Sequence, residues 1–180
     1  MLQMRSFLLW LLVIASATTA PGYMITEPIL VRRGRDTAPS GGYALDIGCG
    51  TGESTMDVLR NNPGMTLVGI DNDEGAIRHA KKRYGDRNPL FLCRDAGKPV
   101  FAPRVFDLVQ MRFCLFSIRD ENVIHEAWRV MDNDGRLVVI DHDAYAQQAL
   151  LVLERRFESI DTYTQDGIFS TVYRKKLRKG

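Results

Sequence analysis

From Tyr43 onward the chain alternates short apolar runs with stretches of helical period, and few folds satisfy that alternation. The runs cover residues 43–47, 66–70, 90–93, 106–111 and 136–140. Near-continuous runs of about five residues, rich in Val, Ile and Leu, suit parallel strands covered on both faces. Between them, Ala76, Ile77, Ala80 and Tyr84 share one helix face, as do Val123, Ile124, Ala127, Trp128 and Met131. Leu150, Leu153, Phe157 and Ile160 repeat at helical spacing and predict a third amphipathic helix over residues 146–160, with one further strand at 168–173. Turn residues punctuate the joins, among them Pro63–Gly64, Asn88–Pro89 and Asn133–Asp134–Gly135. Strand–helix alternation of this kind builds right-handed βαβ units. The expected fold is an α/β, Rossmann-like, doubly wound and mostly parallel sheet with abbreviated C-terminal strands.

In such a sheet ligands bind at the carboxyl ends of the strands, so the strand ends carry the chemistry. The first strand runs into Asp46-Ile47-Gly48-Cys49-Gly50-Thr51-Gly52, with a helix starting near Glu53. Glycine lets the backbone turn sharply and lets a ligand approach without a Cβ clash. The helix start adds N–H groups and a partial positive charge. The second strand ends in Asp71, where a carboxylate can accept hydrogen bonds from both hydroxyls of a ribose. A nicotinamide dinucleotide would need a glycine or alanine three residues after Gly50, and Glu53 stands there instead.

On these residues the chain resembles the class I S-adenosylmethionine-dependent methyltransferases, in the style of the small-molecule, quinone-biosynthesis group, over about residues 43–143. "LDIGCGTG" is similar to the family's first motif, and the resemblance implies that Asp46, Gly48, Cys49, Gly50 and Gly52 wrap the methionine part of S-adenosyl-L-methionine. "VGIDND" implies Asp71 on the ribose and Asn72 beside the adenine, and "CRDAG" places Asp95 and Ala96 near the adenine amino group. "FDLVQMRFCLFSI" puts Met111 and Arg112 beside the methyl donor. His142, between Asp141 and Asp143 past the fifth strand, is the leading candidate for a general base, with Arg112 as a second catalytic candidate.

Plainer roles stay open for the same residues. Asp46 and Asp71 could cap turns, Asp95 could sit in a surface turn, and Met111 could be plain core. Arg112 could be an exposed charge or pair with a strand-end acid, and His142 could be a solvated turn histidine or make a structural hydrogen bond. The expected function is methyl transfer from S-adenosyl-L-methionine to a small-molecule acceptor; the alternative is a non-catalytic cofactor-binding or partner-binding module of the same fold.

A net charge of +2 makes no global case for nucleic acid, and no nucleic-acid partner is expected. No Asn/Asp-Pro-Pro-Tyr/Phe sequence follows the fourth run, which removes the best cue for methylation of base amino groups. Cys49, Cys93 and Cys114 lack metal spacing, so small buried thiols are expected and no metal. Residues 1–22 carry Arg5, an apolar stretch and small residues, the pattern of a secretory signal. Three readings compete for them: a cleaved signal or membrane anchor, a true start nearer Met24, or a helix packed on the domain. Residues 23–42 then form a lead-in and 43–180 the methyltransferase-like domain. The donor is made in the cytosol, which favours a cytosol-facing protein, membrane-associated through residues 1–22 in one variant and exported in another. Oligomeric state is not legible.

Overall fold

The computed structural model describes residues 41–118 and 120–177. The signal-like segment and nearly all of the lead-in lie outside the described residues.

Seven strands form one sheet: β1 (Tyr43–Ile47), β2 (Thr66–Asp71), β3 (Leu90–Cys93), β4 (Phe106–Arg112), β5 (Met131–His142), β6 (Phe157–Gln165) and β7 (Ile168–Lys175), in the order β3-β2-β1-β4-β5-β7-β6. The first five pair in parallel, and β7 runs antiparallel to both β5 and β6. Helices α1 (Glu53–Asn61), α2 (Glu74–Tyr84), α3 (Asn122–Val130) and α4 (Asp143–Arg156) connect the strands, and a short 3₁₀ turn spans Leu115–Ser117. The expected doubly wound, mostly parallel sheet is therefore present.

Neighbouring residues of a strand serve opposite faces. Phe91 of β3 packs with Cys49, Ile77 and Ala80, whereas Leu92 packs against the larger core that holds Val123, Ile124, Ala127 and Val130 of α3 and Leu153 of α4. Phe91 is 0% exposed, a burial that stabilises the fold by about 1.5–3 kcal/mol. Asp73 caps α2 by accepting hydrogen bonds from the Gly75 and Ala76 amides.

The C-terminal region differs from the sequence expectation. The helix ends at Arg156, not near Ile160, and Phe157 and Ile160 belong to β6. The one expected strand at 168–173 is the second arm of a complete hairpin, with strands of 9 and 8 residues. Helical spacing of Leu153 and Phe157 arose because both are buried, one at the end of a helix and one at the start of a strand. The hairpin signal was present in Asp166–Gly167. Both residues have positive φ, at 53° and 74°, between the paired Gln165 and Ile168, the backbone that a two-residue hairpin loop demands. Ile160, Thr162, Tyr163 and Thr164 supply β-branched and aromatic residues.

β5 also begins earlier than the apolar run 136–140. Met131 pairs with Phe106, then the register jumps so that Leu108 faces Arg136, and residues 132–135 bulge out between them.

Candidate active site

The order of the sheet reverses between β1 and β4, so a crevice opens at their carboxyl ends. Around it the three glycines of the first motif do different work. Gly48 has φ 74°, and a Cβ there would lie 2.7 Å from the Cβ of Cys114. At Gly52 a Cβ would meet the Phe91 ring at 2.8 Å. Protein atoms fill both positions. Gly50 has φ 52° and nothing within 4 Å of where a Cβ would stand, so a ligand can lie against its backbone. Gly52 offers α1 no side-chain cap, which leaves its N-terminal amide groups for a polar ligand. The Glu53 carboxylate is engaged by the Thr51 hydroxyl and by Arg83 of α2.

Asp71 stands at the end of β2 beside this loop. Its Oδ2 accepts a hydrogen bond from the Gly50 amide at 2.9 Å, and its Oδ1 accepts one from the Asp73 amide at 2.9 Å. A carboxylate has about four acceptor positions, so each oxygen keeps one for a ligand hydroxyl. Cys93 of β3 is paired with Asp71 in the sheet, and its thiol donates to the Asn72 carbonyl. Asn72 and Asp95 are both exposed at these strand ends. Asp95 accepts from the Gly97 amide and lies 3.6 Å from Lys98 Nζ, the contacts of a turn residue. Ala96 packs against the core. The open backbone at Gly50, the spare acceptors of Asp71 and the uncapped helix together fit the ribose and the polar methionine end of S-adenosylmethionine.

Asp46 lies inside the molecule, 3% exposed. Its Oδ2 accepts from the Ser54 and Thr55 hydroxyls at 2.6 and 2.7 Å, and its Oδ1 from Gln110 Nε2 at 3.2 Å. Burial pushes its pKa above the ordinary carboxylate value, while those hydrogen bonds and the charge of Arg112 pull the other way. Asp46 thus ties β1 to the first turn of α1 and to β4. Ser54, Thr55 and Gln110 were not singled out from sequence, although a glutamine in the middle of an apolar strand is a signal, since a buried amide requires partners. Cys49 and Cys114 are buried, and burial together with neighbouring carboxylates raises both thiol pKa values, which keeps them protonated.

The ends of β4 and β5 form the other side of the crevice. Met111 is 0% exposed and belongs to the core, so its side chain packs there instead of bordering the crevice. Arg112 donates from Nη1 to Asp57 Oδ2 of α1 at 2.9 Å, an ion pair to a helix residue where a strand-end acid was the expected partner. Asp141 is 0% exposed, and its carboxylate accepts from the Leu115 amide and from the His142 amide, both at 2.8 Å. It binds the turn after β4 to the end of β5. His142 is half-buried, its ring centroid 5.2 Å from that of Phe113. Asp143 is exposed. Of the three polar residues at this end, the imidazole is therefore the group with both access and a fixed place. Asp46, the glycine loop and Asp71 thus lie at the ends of β1 and β2, and Arg112 and His142 at the ends of β4 and β5.

Comparison with known proteins bears on the family and the fold. A family model described as a methyltransferase domain matches residues 45–139, more than half of the chain. Demethylmenaquinone methyltransferase of Roseiflexus sp. is 34% identical over 122 residues, covering 62% of this chain and 51% of that protein. A tRNA (guanine-N(7)-)-methyltransferase of Rubrobacter xylanophilus is 29% identical over 126 residues, covering 62% and 56%. The chain thus spans about half the length of these relatives. The crystal structure of a TehB-like SAM-dependent methyltransferase from Corynebacterium glutamicum superposes with a TM-score of 0.65 at 22% identity, covering 77% of this chain and 83% of that one. The chain belongs to the methyltransferase domain family and has the class I fold of the S-adenosylmethionine-dependent methyltransferases.

Proposed function

We propose that this chain binds S-adenosylmethionine at the ends of β1 and β2 and transfers its methyl group to a small-molecule acceptor lying at the ends of β4 and β5. The observation that carries the reading is the pair Gly50 and Asp71, where the one motif glycine with open space above it is hydrogen-bonded to the strand-end carboxylate. In this reading Asp71 takes the ribose hydroxyls, Asn72, Asp95 and Ala96 border the adenine, and the Gly48–Gly52 backbone with the start of α1 receives the methionine end.

S-adenosylmethionine supplies a methyl group on a sulfonium, already activated toward a nucleophile, with the S–C electron pair leaving on sulfur. What the chain must add is alignment and the exclusion of water, effects worth several kcal/mol. For a hydroxyl acceptor a proton must also be taken up, and in this reading His142 accepts it. Asp141 is 0% exposed and lies out of an acceptor's reach. We further propose a cytosol-facing location, where the donor is made.

Calorimetry with S-adenosylmethionine and S-adenosylhomocysteine tests the site, and absence of binding to the wild-type chain would overturn the proposal. A screen for tritiated methyl transfer over quinone, lipid, small-metabolite and RNA fractions tests turnover. Label in the RNA fraction would displace the small-molecule acceptor, and binding without transfer to any fraction would leave a cofactor-binding module.

A further inference from the structure

Among the described residues, β6 ends one side of the sheet and pairs with β7 alone. Of its nine residues Phe157 is buried and the following eight are exposed, so both faces of the strand meet solvent. Such an edge offers backbone N–H and C=O groups to another chain, and folded proteins guard it with charges and bulges. Here the guards stop halfway. Glu158, ion-paired with Arg174, then Asp161 and the register break between Ser159 and Asp161, all fall in the first half. Thr162-Tyr163-Thr164-Gln165 carries no charge, no proline and no bulge, and threonine and tyrosine favour strands.

The hairpin loop decides which backbone groups of that stretch face outward. Asp166 and Gly167 both have positive φ, which makes a two-residue type I′ loop closed by bonds between its flanking residues, Gln165 and Ile168. Opposite residues then alternate between hydrogen-bonded and non-bonded pairs. Gln165 and Tyr163 therefore turn their backbone groups to β7, and Thr162 and Thr164 turn theirs outward.

That pattern is complementary to itself. A second β6 laid antiparallel about a two-fold axis at Tyr163 brings Thr162 opposite Thr164 of the second copy, and Thr164 opposite Thr162. Each of these two pairs exchanges two hydrogen bonds, and Tyr163 meets its own copy in the close, non-bonded position between them. Asp161 then faces Gln165 of the second copy. The Gln165 carbonyl oxygen already accepts from the Tyr163 hydroxyl, which leaves its NH₂ group to donate to that carboxylate. An axis at Asp161 would instead set two carboxylates opposite each other, which is destabilising.

We propose that residues 162–165 are a docking surface for a second copy of this chain, joined strand to strand about a two-fold axis at Tyr163. The inference is independent of the methyl-transfer reading.

Backbone pairing over so few residues makes a small interface, and interfaces of that size are weak. Sedimentation of the full chain is expected to show monomer at about 10 µM and substantial dimer at about 1 mM. Thr162→Pro removes one outward N–H from each copy, at an edge position where proline is tolerated, and should weaken association about tenfold. Tyr163→Lys opposes two ammonium groups and should do the same, with partial recovery at high salt. Tyr163→Cys puts two thiols within disulfide reach, so mild oxidation should give a covalent dimer that wild type and Ser159→Cys do not give. A wild-type chain that stays monomeric at about 1 mM overturns the proposal and leaves the edge to a strand of another protein. A dimer that survives both the proline and the lysine substitution also overturns it, as does one that Ser159→Cys traps as readily as Tyr163→Cys. Tyr163 is exposed, so the lysine variant keeps the test decisive if the proline variant does not fold.

Discussion

The Asp71 carboxylate accepts a 2.9 Å hydrogen bond from the amide of Gly50, 21 residues earlier in the chain. This one contact joins the loop after β1 to the end of β2 and presents a charged acceptor beside open backbone.

Removing that carboxylate should affect binding more than folding. Asp71 is half-buried, at a strand end. Hydrogen bonds to a charged group contribute about 1.5–3 kcal/mol, so Asp71→Ala is expected to weaken S-adenosylhomocysteine binding by about 10- to 100-fold. Calorimetry reads the affinity and thermal melting checks that the fold persists.

The glycines should separate into two classes. Gly50→Ala meets no atom within 4 Å, so its cost to folding is the left-handed backbone alone, about 1–2 kcal/mol, while cofactor binding should fall sharply. Gly48→Ala drives a Cβ to 2.7 Å from that of Cys114 and should cost about 1–3 kcal/mol more in stability. Urea denaturation beside calorimetry distinguishes the two. A Gly50→Ala chain that binds the cofactor like wild type would contradict the placement of the ligand.

Asp46 sets a pH dependence with a definite sign. Its folded pKa is raised above the ordinary 3.8, chiefly by burial. The native state therefore holds this proton more tightly than the unfolded chain, and the resulting stability is present at acid pH and lost as pH rises through the folded pKa. Relative to Asp46→Asn, wild type should be comparatively more stable below pH 3.8 than at neutral pH. Denaturation of both chains across that range gives the difference directly, and a flat difference would refute the burial effect.

Asp141 should be intolerant of truncation. Asp141→Ala leaves the buried Leu115 amide and the half-buried His142 amide without their acceptor, at a cost of about 1–3 kcal/mol for each group that water does not reach. Melting temperature should fall by several degrees.

By itself the sequence determined the parallel core of the fold. The runs at 43–47 and 90–93 are the observed β1 and β3, and those at 66–70 and 106–111 fall one residue short of β2 and β4. Such strands are legible because their burial on both faces is written into consecutive residues. The glycine motif and Asp71 were legible for the same local reason. Tertiary structure alone decided what depends on residues far apart in the chain. It drew Phe157 and Ile160 out of a helix, because pairing with β7 satisfies their backbone in a sheet. It assigned Gly48 and Gly52 to packing and left Gly50 open, because Cys114 and Phe91 approach the first two and nothing approaches the third. It paired Arg112 with Asp57, 55 residues away, and set Phe113 against His142 across two strand ends. Local periodicity records which face a residue buries, whereas the identity of the atom it meets is fixed only when the sheet closes.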